Sequence, residues 1–295
     1  MFAPLLAVAA LVVPLGLDLY MPVPDDNPLT ADKIAVGRKL FADNRLSRDR
    51  TLSCASCHDP RRAFSDRRTV PVGVDGRPGQ RNAPALINRA WGRSFFWDGR
   101  AASLESQVLQ PILNPNEMDL APAEAAQRVG LSVTELTSAL ASYVRSIMSG
   151  NSRYDRFMNG DQMALLEQEQ MGLQVFRGKG NCTACHVGPT FTDERLHNTG
   201  VAWKDERLTD PGAGNGVFKT PTLREVARTA PYMHDGSLAT LSEVIDYYDR
   251  GGNANPHLDR DVRPLGLSAA DKRALSAFLT ALTGTIHEGA ESPSP

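Results

Sequence analysis

Apolar positions at helical spacing mark two stretches of the chain. Ser132 and Glu135 form a capping-box pattern, and apolar residues then recur three or four positions apart until Gly150. These residues are Leu136, Leu140, Tyr143, Val144 and Ile147. A second helix is predicted over about residues 161–177. No stretch shows a convincing strand-like alternation, so we predict a mainly α-helical fold with these apolar positions in its core.

Four segments rich in Gly, Pro, Asn and Asp interrupt the helical pattern. They cover residues 71–84, 111–122, 205–221 and 251–266. This composition predicts long ordered loops, which often carry functional residues.

The first seventeen residues, MFAPLLAVAALVVPLGL, are apolar and uncharged. A membrane-spanning helix needs about 20 such residues, and this run contains Pro4 and Pro14. The run fits the apolar core of an export signal better. It lacks a basic start, however, and its A-x-A pattern at residues 7–9 lies in mid-run. These two departures leave two alternatives to an export signal, namely an uncleaved inner-membrane anchor and a misplaced start codon. Our prediction is export to the periplasm.

Length and composition are those of an ordinary globular protein. The chain has 295 residues, which suggests two domains, with 41% hydrophobic and 22% charged residues. Its formal net charge of −2 argues against a nucleic-acid-binding protein, which is usually basic. A local patch that docks a partner protein remains compatible with this charge.

All four cysteines lie in two C-x-x-C-H motifs, the attachment signature of c-type haem. The motifs are Cys54-Ala-Ser-Cys57-His58 and Cys182-Thr-Ala-Cys185-His186. The two thiols of each motif add across the vinyl groups of the porphyrin, and the adjacent histidine reaches the iron. We therefore predict two covalently bound haems c, with His58 and His186 as iron ligands.

Other roles of C-x-x-C pairs fit this chain less well. A thioredoxin-like redox pair needs a βαβ context, which the pattern does not predict. A four-cysteine zinc site usually has its two pairs closer in sequence than Cys57 and Cys182. Disulfide bonds would leave both flanking histidines unexplained.

The two halves of the chain share short sequence matches in the same order. A-P-A-L at 83–86 matches T-P-T-L at 220–223, and an Asp-Gly pair follows each match at the same distance, at Asp98 and Asp235. We infer two copies of one haem-binding unit.

The two copies predict different surroundings for the two irons. The chain has six histidines, and none lies between His58 and His186. The loops that should cover the first haem, about residues 59–130, contain a single methionine, Met118. The group in the sixth position of a haem iron decides between chemistry and electron transfer. The first haem is therefore predicted to be open.

The second haem is predicted to be capped by a protein ligand. Tyr248 holds the position that Pro111 holds in the first copy. Proline cannot bind iron, whereas a phenolate can. The spacing also allows Tyr248 to be a half-buried core residue, and the competing ligands are Tyr247, Met233, His234 and His257.

Two further residues are candidates for the chemistry of an open haem. Glu117 can take a proton from peroxide and return it to the leaving oxygen, although a loop glutamate can also be merely solvated. Trp97, in F-F-W-D-G between the two haem motifs, is either an electron relay or a core aromatic residue.

These motifs resemble those of the bacterial di-haem cytochrome c peroxidases, and within that family the MauG-like branch. The resemblance covers about residues 30–285. Besides both C-x-x-C-H motifs, it rests on R-N-A-P at 81–84, F-W-D-G-R-A-A-S-L-E at 96–105, N-P-N-E-M at 114–118, G-P-T-F-T at 188–192 and P-Y-M-H-D-G at 231–236. It implies two cytochrome-c-like domains. They are an N-terminal peroxidatic haem c domain at 21–160 and a C-terminal electron-transfer haem c domain at 161–295, after a signal peptide or anchor at 1–20.

The resemblance implies that the first haem reacts with peroxide. Glu117 would be its acid–base residue, Gln107 and Pro111 would line the same pocket, and Trp97 would lie between the haems.

The resemblance also implies a calcium ion between the domains. The side chain of Asn82 and the backbone carbonyls of Thr229 and Pro231 would hold it, and calcium prefers such oxygen ligands.

The branch of the family is indicated by the second-haem ligand. Usual members place a methionine fourteen residues after the histidine of H-D-G, and MauG places a tyrosine there; here that position is Tyr248. Residues 72–77 also lack the distal histidine of the usual peroxidases. One feature departs from MauG, whose surface tryptophan two residues before the second haem motif corresponds to Gly180. Trp203 does not match that position.

The function that we predict is reduction of hydrogen peroxide in the periplasm. A small cytochrome c or a cupredoxin would donate the electrons, and the protein would be a monomer or a homodimer. A MauG-like enzyme that uses peroxide to modify side chains of a partner protein is the alternative. A di-haem electron carrier is the third possibility and requires both irons to be closed.

Overall fold

Eight α-helices dominate the described residues, 11–289, of this computed structural model. They are α1 (Ala31–Phe41), α2 (Leu104–Leu113), α3 (Pro122–Val129), α4 (Val133–Arg145), α5 (Arg153–Met158), α6 (Glu167–Arg177), α7 (Leu241–Asp249) and α8 (Ala269–Ala281). The prediction of a mainly α-helical protein is confirmed.

The strands of residues 11–289 are short and form three antiparallel two-stranded sheets. They are β1 (Met148–Gly150), β2 (Leu196–His197), β3 (Trp203–Lys204), β4 (Arg207–Leu208), β5 (Phe218–Lys219) and β6 (Thr285–His287). β1 pairs with β6, β2 with β5, and β3 with β4.

The predicted capping box starts α4. The Ser132 hydroxyl accepts a hydrogen bond from the Glu135 backbone N–H (3.2 Å), and the Glu135 carboxylate accepts one from the Ser132 N–H (2.8 Å). The predicted end at Gly150 was wrong. α4 ends at Arg145, because the residues up to Gly150 form β1 and pair with β6 near the C-terminus.

The second predicted helix also starts later than the pattern indicated. α6 begins at Glu167 rather than near residue 161. The Leu166 N–H donates to the Glu169 carboxylate (3.0 Å), which satisfies a free donor at that helix end.

Two apolar clusters form the core, and each contains a packed helix pair. In the first cluster α1 packs against α4, with the rings of Phe41, Phe64 and Tyr143 in edge contact. In the second, α6 packs against α8 around Phe176 and Phe278.

A glycine permits the close approach in the first helix pair. A Cβ atom on Gly37 would lie 2.0 Å from the Ala139 carbonyl oxygen and 2.8 Å from the Tyr143 Cβ. We expect Gly37→Ala to lower the free energy of unfolding by about 1–3 kcal/mol through overpacking. Urea unfolding of the holoprotein measures this, with Val36→Ala on the exposed side of α1 as the control. Equal losses in both variants would contradict the packing argument.

The start of the described chain contacts the folded body near a buried ion pair. Arg224 and Asp155 are each 1% exposed and are joined by hydrogen bonds of 2.6 and 2.9 Å. Arg224 also donates to the Gly16 carbonyl (2.7 Å), and the Asn151 N–H donates to that of Leu15 (2.8 Å). Part of the predicted export segment therefore packs on the protein, while residues 1–10 lie outside the described residues. None of the described helices is long and apolar enough to cross a membrane.

Candidate active site at the two haem motifs

Each C-x-x-C-H motif is folded into a tight turn that presents its histidine. The residues Cys54–Ser56 and Cys182–Ala184 form short 3₁₀ turns. The histidine N–H then donates back to the carbonyl of the first cysteine, with a distance of 2.9 Å in both motifs. Thiols and imidazole are thereby brought to one side of the turn.

A backbone carbonyl orients each histidine ring. The Nδ1 atom of His58 lies 2.9 Å from the Phe64 carbonyl oxygen, and that of His186 lies 2.9 Å from the Phe191 oxygen. Because a carbonyl can only accept, Nδ1 carries the proton and Nε2 is free to bind a metal. Phe64 and Phe191 have positive φ angles of 58° and 53°, an uncommon conformation for bulky residues that often occurs at functional sites.

The four cysteines lie in two separate pairs and do not gather into one metal site. All four are free and partly buried. Burial raises the pKa of Cys54 and Cys182 to about 12 and that of Cys57 to about 11, which disfavours thiolates. Within residues 11–289, no group of three or more His, Cys, Asp or Glu side chains is arranged to hold a metal ion. The described residues therefore do not bring the two cysteine pairs together as a four-cysteine zinc site would require.

A cavity of about 690 Å³ extends along both motifs. His58 and His186 both line it, together with Trp97, Glu117 and Tyr248. Most of its remaining lining is apolar, which suits porphyrin faces. The Nε2 atoms of both histidines, the thiols outside any disulfide bond and this cavity fit two haems c.

A smaller pocket of about 80 Å³ lies beside the first motif. It brings together His58, Gln107, Pro111 and Glu117. Burial raises the pKa of Glu117, while the Asn114 side-chain amide donates to its Oε1 atom (2.7 Å). The structure therefore gathers the residues that the sequence singled out for the first haem.

The histidine-free loop at 72–77 covers this pocket from outside. The Val74 N–H donates to the Glu117 carbonyl (2.8 Å). A Cβ atom on Gly73 would lie 2.1 Å from the Asn116 carbonyl oxygen, so only glycine fits this close approach. The loop thereby fixes the backbone that carries Glu117.

Trp97 is hydrogen-bonded to both halves of the chain. Its indole N–H donates to the Asn82 carbonyl (2.8 Å), and its own carbonyl accepts from the Lys219 N–H (2.7 Å). The Asn82 N–H in turn donates to the His234 carbonyl (2.7 Å). Trp97 thus lies in the cavity where the two halves meet.

The structure divides the candidates for the second-haem ligand into two groups. Tyr248, Met233 and His234 line the large cavity. The Tyr247 hydroxyl is already engaged, because it donates to the Thr199 carbonyl (2.8 Å). His257 is exposed, with its ring 6.2 Å from that of Trp203.

The predicted calcium ligands line the same cavity. Asn82, Thr229 and Pro231 all contribute to its wall. The Asn82 side-chain amide donates to the carbonyls of Arg68 (3.1 Å) and Thr69 (3.2 Å). Its Oδ1 atom is therefore the side-chain atom left to contact an ion.

Known proteins match nearly the whole chain. Residues 31–133 match the family model described as di-haem cytochrome c peroxidase. The methylamine utilization protein MauG of Methylorubrum extorquens is 37% identical over 286 residues, which cover 89% of this chain and 81% of that protein. This chain belongs to the di-haem cytochrome c peroxidase and MauG family. It is accordingly an oxidoreductase that carries two haems c.

Further relatives agree with this family. The cytochrome-c peroxidase IdrP2 of Denitromonas iodatirespirans is 35% identical and covers 89% of this chain and 84% of its own length. The solved structure of a MauG-like protein associated with microbial copper homeostasis is 34% identical, with a TM-score of 0.82 over 91% of this chain and 94% of that one.

Two further histidines line the large cavity, His197 and the candidate ligand His234. His197 is held at both ring nitrogens, by Asp259 (2.6 Å) and Asp193 (2.9 Å), so it has no nitrogen left for iron. The ring of His234 is stacked on Phe218 with centroids 3.7 Å apart. Burial lowers the pKa of His234 to about 4, so it is neutral at physiological pH.

The space around Gly180, where MauG has a tryptophan, is limited by neighbouring atoms. A Cβ atom there would lie 2.8 Å from the Val175 carbonyl oxygen and 3.4 Å from the Cys182 sulfur. A larger residue at this position would require the backbone before the second motif to move.

Proposed function

We propose that this chain is a periplasmic peroxidase that reduces hydrogen peroxide to water at an open haem bound by His58. The observation that carries this proposal is the small pocket shared by His58, Gln107, Pro111 and Glu117. Glu117 is the carboxylate in its wall, and Pro111 stands where Tyr248 stands in the other half.

The protein residues serve the proton transfers of this reaction, in which H2O2, two electrons and two protons give two molecules of water. When bound, the haems supply the electrons that break the O–O bond. Glu117 takes the proton from one peroxide oxygen and gives it to the other, which leaves as water. Its raised pKa suits this exchange, and the hydrogen bond from Asn114 fixes the carboxylate.

Electrons reach the first site through the second half of the protein. His186 and Tyr248 would hold the second iron, and Trp97 would lie between the two haems. A small cytochrome c or a cupredoxin supplies the electrons one at a time. The hydrogen bonds of Trp97 to Asn82 and Lys219 support this path, because they keep the indole fixed between the halves.

The two halves are copies of one haem-binding unit in this proposal. The matching helix pairs α1–α4 and α6–α8 support it. Tyr154 and Phe157 pack with the second cluster, so we place the boundary between the units near residue 151. Asn82, Thr229 and Pro231 would hold a calcium ion between them, and a calcium content of one ion per chain tests this assignment.

Electron paramagnetic resonance of the oxidised holoprotein tests the proposed function. We expect one high-spin and one low-spin ferric signal, both lost on addition of one equivalent of peroxide without prior reduction. Two low-spin signals that do not respond to peroxide would refute the open first haem and favour an electron carrier.

Oxidation of a partner protein is the second candidate function. The 37% identity to MauG favours it, whereas Gly180 lies where MauG has a surface tryptophan. The two functions differ in the reductant. Fast turnover with a reduced small cytochrome supports peroxide reduction, and peroxide-dependent modification of a co-purifying protein supports the alternative.

A further inference from the structure

A buried charged cluster lies where the two halves meet. It consists of Arg89 from the first half and Glu194 and Lys219 from the second, whose side chains are 10%, 7% and 8% exposed. Arg89 binds both carboxylate oxygens of Glu194, at 3.0 and 3.2 Å. None of these residues is part of the proposed proton transfer or iron ligation.

The cluster contains two cationic side chains and one carboxylate, so one positive charge is not neutralised. The Glu194 carboxylate is already bonded by Arg89 and by the Arg93 N–H (3.1 Å). The Lys219 ammonium lies 3.6 Å from the Oε1 atom of Glu194, within ion-pair distance but farther than the nitrogen of Arg89 that binds the same oxygen at 3.0 Å. Two buried cations that share one carboxylate are not fully neutralised, which is costly. Burial and the nearby Arg89 lower the pKa of Lys219 to about 7 when no other anion is bound. Arg89 and Lys219 both line the large cavity.

The match between the two halves gives this cluster a counterpart. Aligning Pro84 with Pro221 pairs Asn82 with Lys219 and Trp97 with His234. The paired residues make the same contact across the interface, since the Asn82 N–H donates to the His234 carbonyl and the Lys219 N–H donates to the Trp97 carbonyl, both at 2.7 Å. Lys219 therefore occupies the place that Asn82, the proposed calcium ligand, holds in the other half.

Arg89 completes this correspondence. The proposed calcium ligands Thr229 and Pro231 pair with Gly92 and Ser94. Arg89 donates to the Ser94 carbonyl (3.1 Å), and a Cβ atom on Gly92 would lie 2.1 Å from the guanidinium. The protein thus supplies its own cations at the place that corresponds to the calcium site.

We propose that Lys219 and Arg89 bind a haem propionate at this interface. The carboxylate is the anion that the cavity brings to them, because each haem c carries two propionates. This inference rests on the proposed placement of the haems but not on the role of Glu117. Lys219 is a positioning residue here. Its charge beside the haem edge favours the reduced haem, whose net charge is more negative, and so raises the reduction potential.

A redox titration of the holoprotein, followed separately for each haem by visible spectra and electron paramagnetic resonance, tests the proposal. Lys219→Met should lower the midpoint potential of the haem whose propionate it binds, and Lys219→Arg should restore it. Glu194→Gln removes the opposing negative charge and should shift the same potential upwards. Lys204→Met is the matched control, since Lys204 is half-exposed and paired with Asp235.

The opposite signs separate a charge effect from damage to the fold. Shifts of one haem in opposite directions support the proposal and identify which haem supplies the propionate. Unchanged potentials in Lys219→Met, or a shift of the same sign in Lys219→Met and Glu194→Gln, would overturn it. If Lys219→Met fails to incorporate haem, the other two variants test the proposal. It requires an unchanged midpoint potential in Lys219→Arg and a raised midpoint potential in Glu194→Gln. None of these measurements uses peroxide. The result can therefore be interpreted even if the protein proves not to be a peroxidase.

Discussion

Replacing Glu117 by glutamine is expected to slow the reaction of the oxidised protein with peroxide by on the order of 10²-fold or more. Glutamine keeps the size of the side chain and can still accept the hydrogen bond from Asn114. It cannot take up the peroxide proton and pass it on. Stopped-flow spectra of the Soret band measure the second-order rate constant directly.

The pH dependence of this rate constant is an independent test of the role of Glu117. Burial raises the pKa of Glu117, and only the carboxylate can accept the peroxide proton. The rate constant of the unsubstituted protein should therefore rise with pH through this elevated pKa. The rate constant of Glu117→Gln should not show this rise. Glu124→Gln is the control, because the Glu124 side chain is 53% exposed on α3. If Glu117→Gln keeps the full rate, another group moves the proton.

Local signals predicted much of the fold, and the residues that they indicated for the first haem line one pocket. The capping box at Ser132 specifies its helix start through contacts three residues apart, which a sequence displays directly. The C-x-x-C-H motifs likewise carry their chemistry within five residues. The end of α4 was predicted less well, because the pairing of β1 with β6 depends on residues more than a hundred positions away.

The residues that the sequence analysis missed depend on contacts between the halves. Lys219 looks like an ordinary surface lysine in the sequence, and the structure buries it beside Glu194 and Arg89. The signal that could have found it was the repeat itself, which aligns Lys219 with Asn82. A charged residue paired with an expected ion ligand indicates a shared interface, but its burial follows only from tertiary packing.

Replacing Tyr248 by phenylalanine is expected to open the second haem. The phenol lines the cavity shared with His186, and phenylalanine fills the same space without an oxygen that can bind iron. The low-spin ferric signal should be replaced by a second high-spin signal in electron paramagnetic resonance. The haem content should stay at two per chain, because both attachment motifs are unchanged.

The neighbouring tyrosine provides the matched control. The Tyr247 hydroxyl donates to Thr199 and accepts from the Asn253 N–H (3.2 Å), so Tyr247→Phe removes a phenol of similar position without removing the proposed ligand. That variant should retain the low-spin signal. If the signal survives in Tyr248→Phe instead, the ligand is Met233 or His234, the other candidates that line the cavity. The second haem would then be methionine- or histidine-ligated, and the tyrosine that indicates the MauG-like branch would not be an iron ligand.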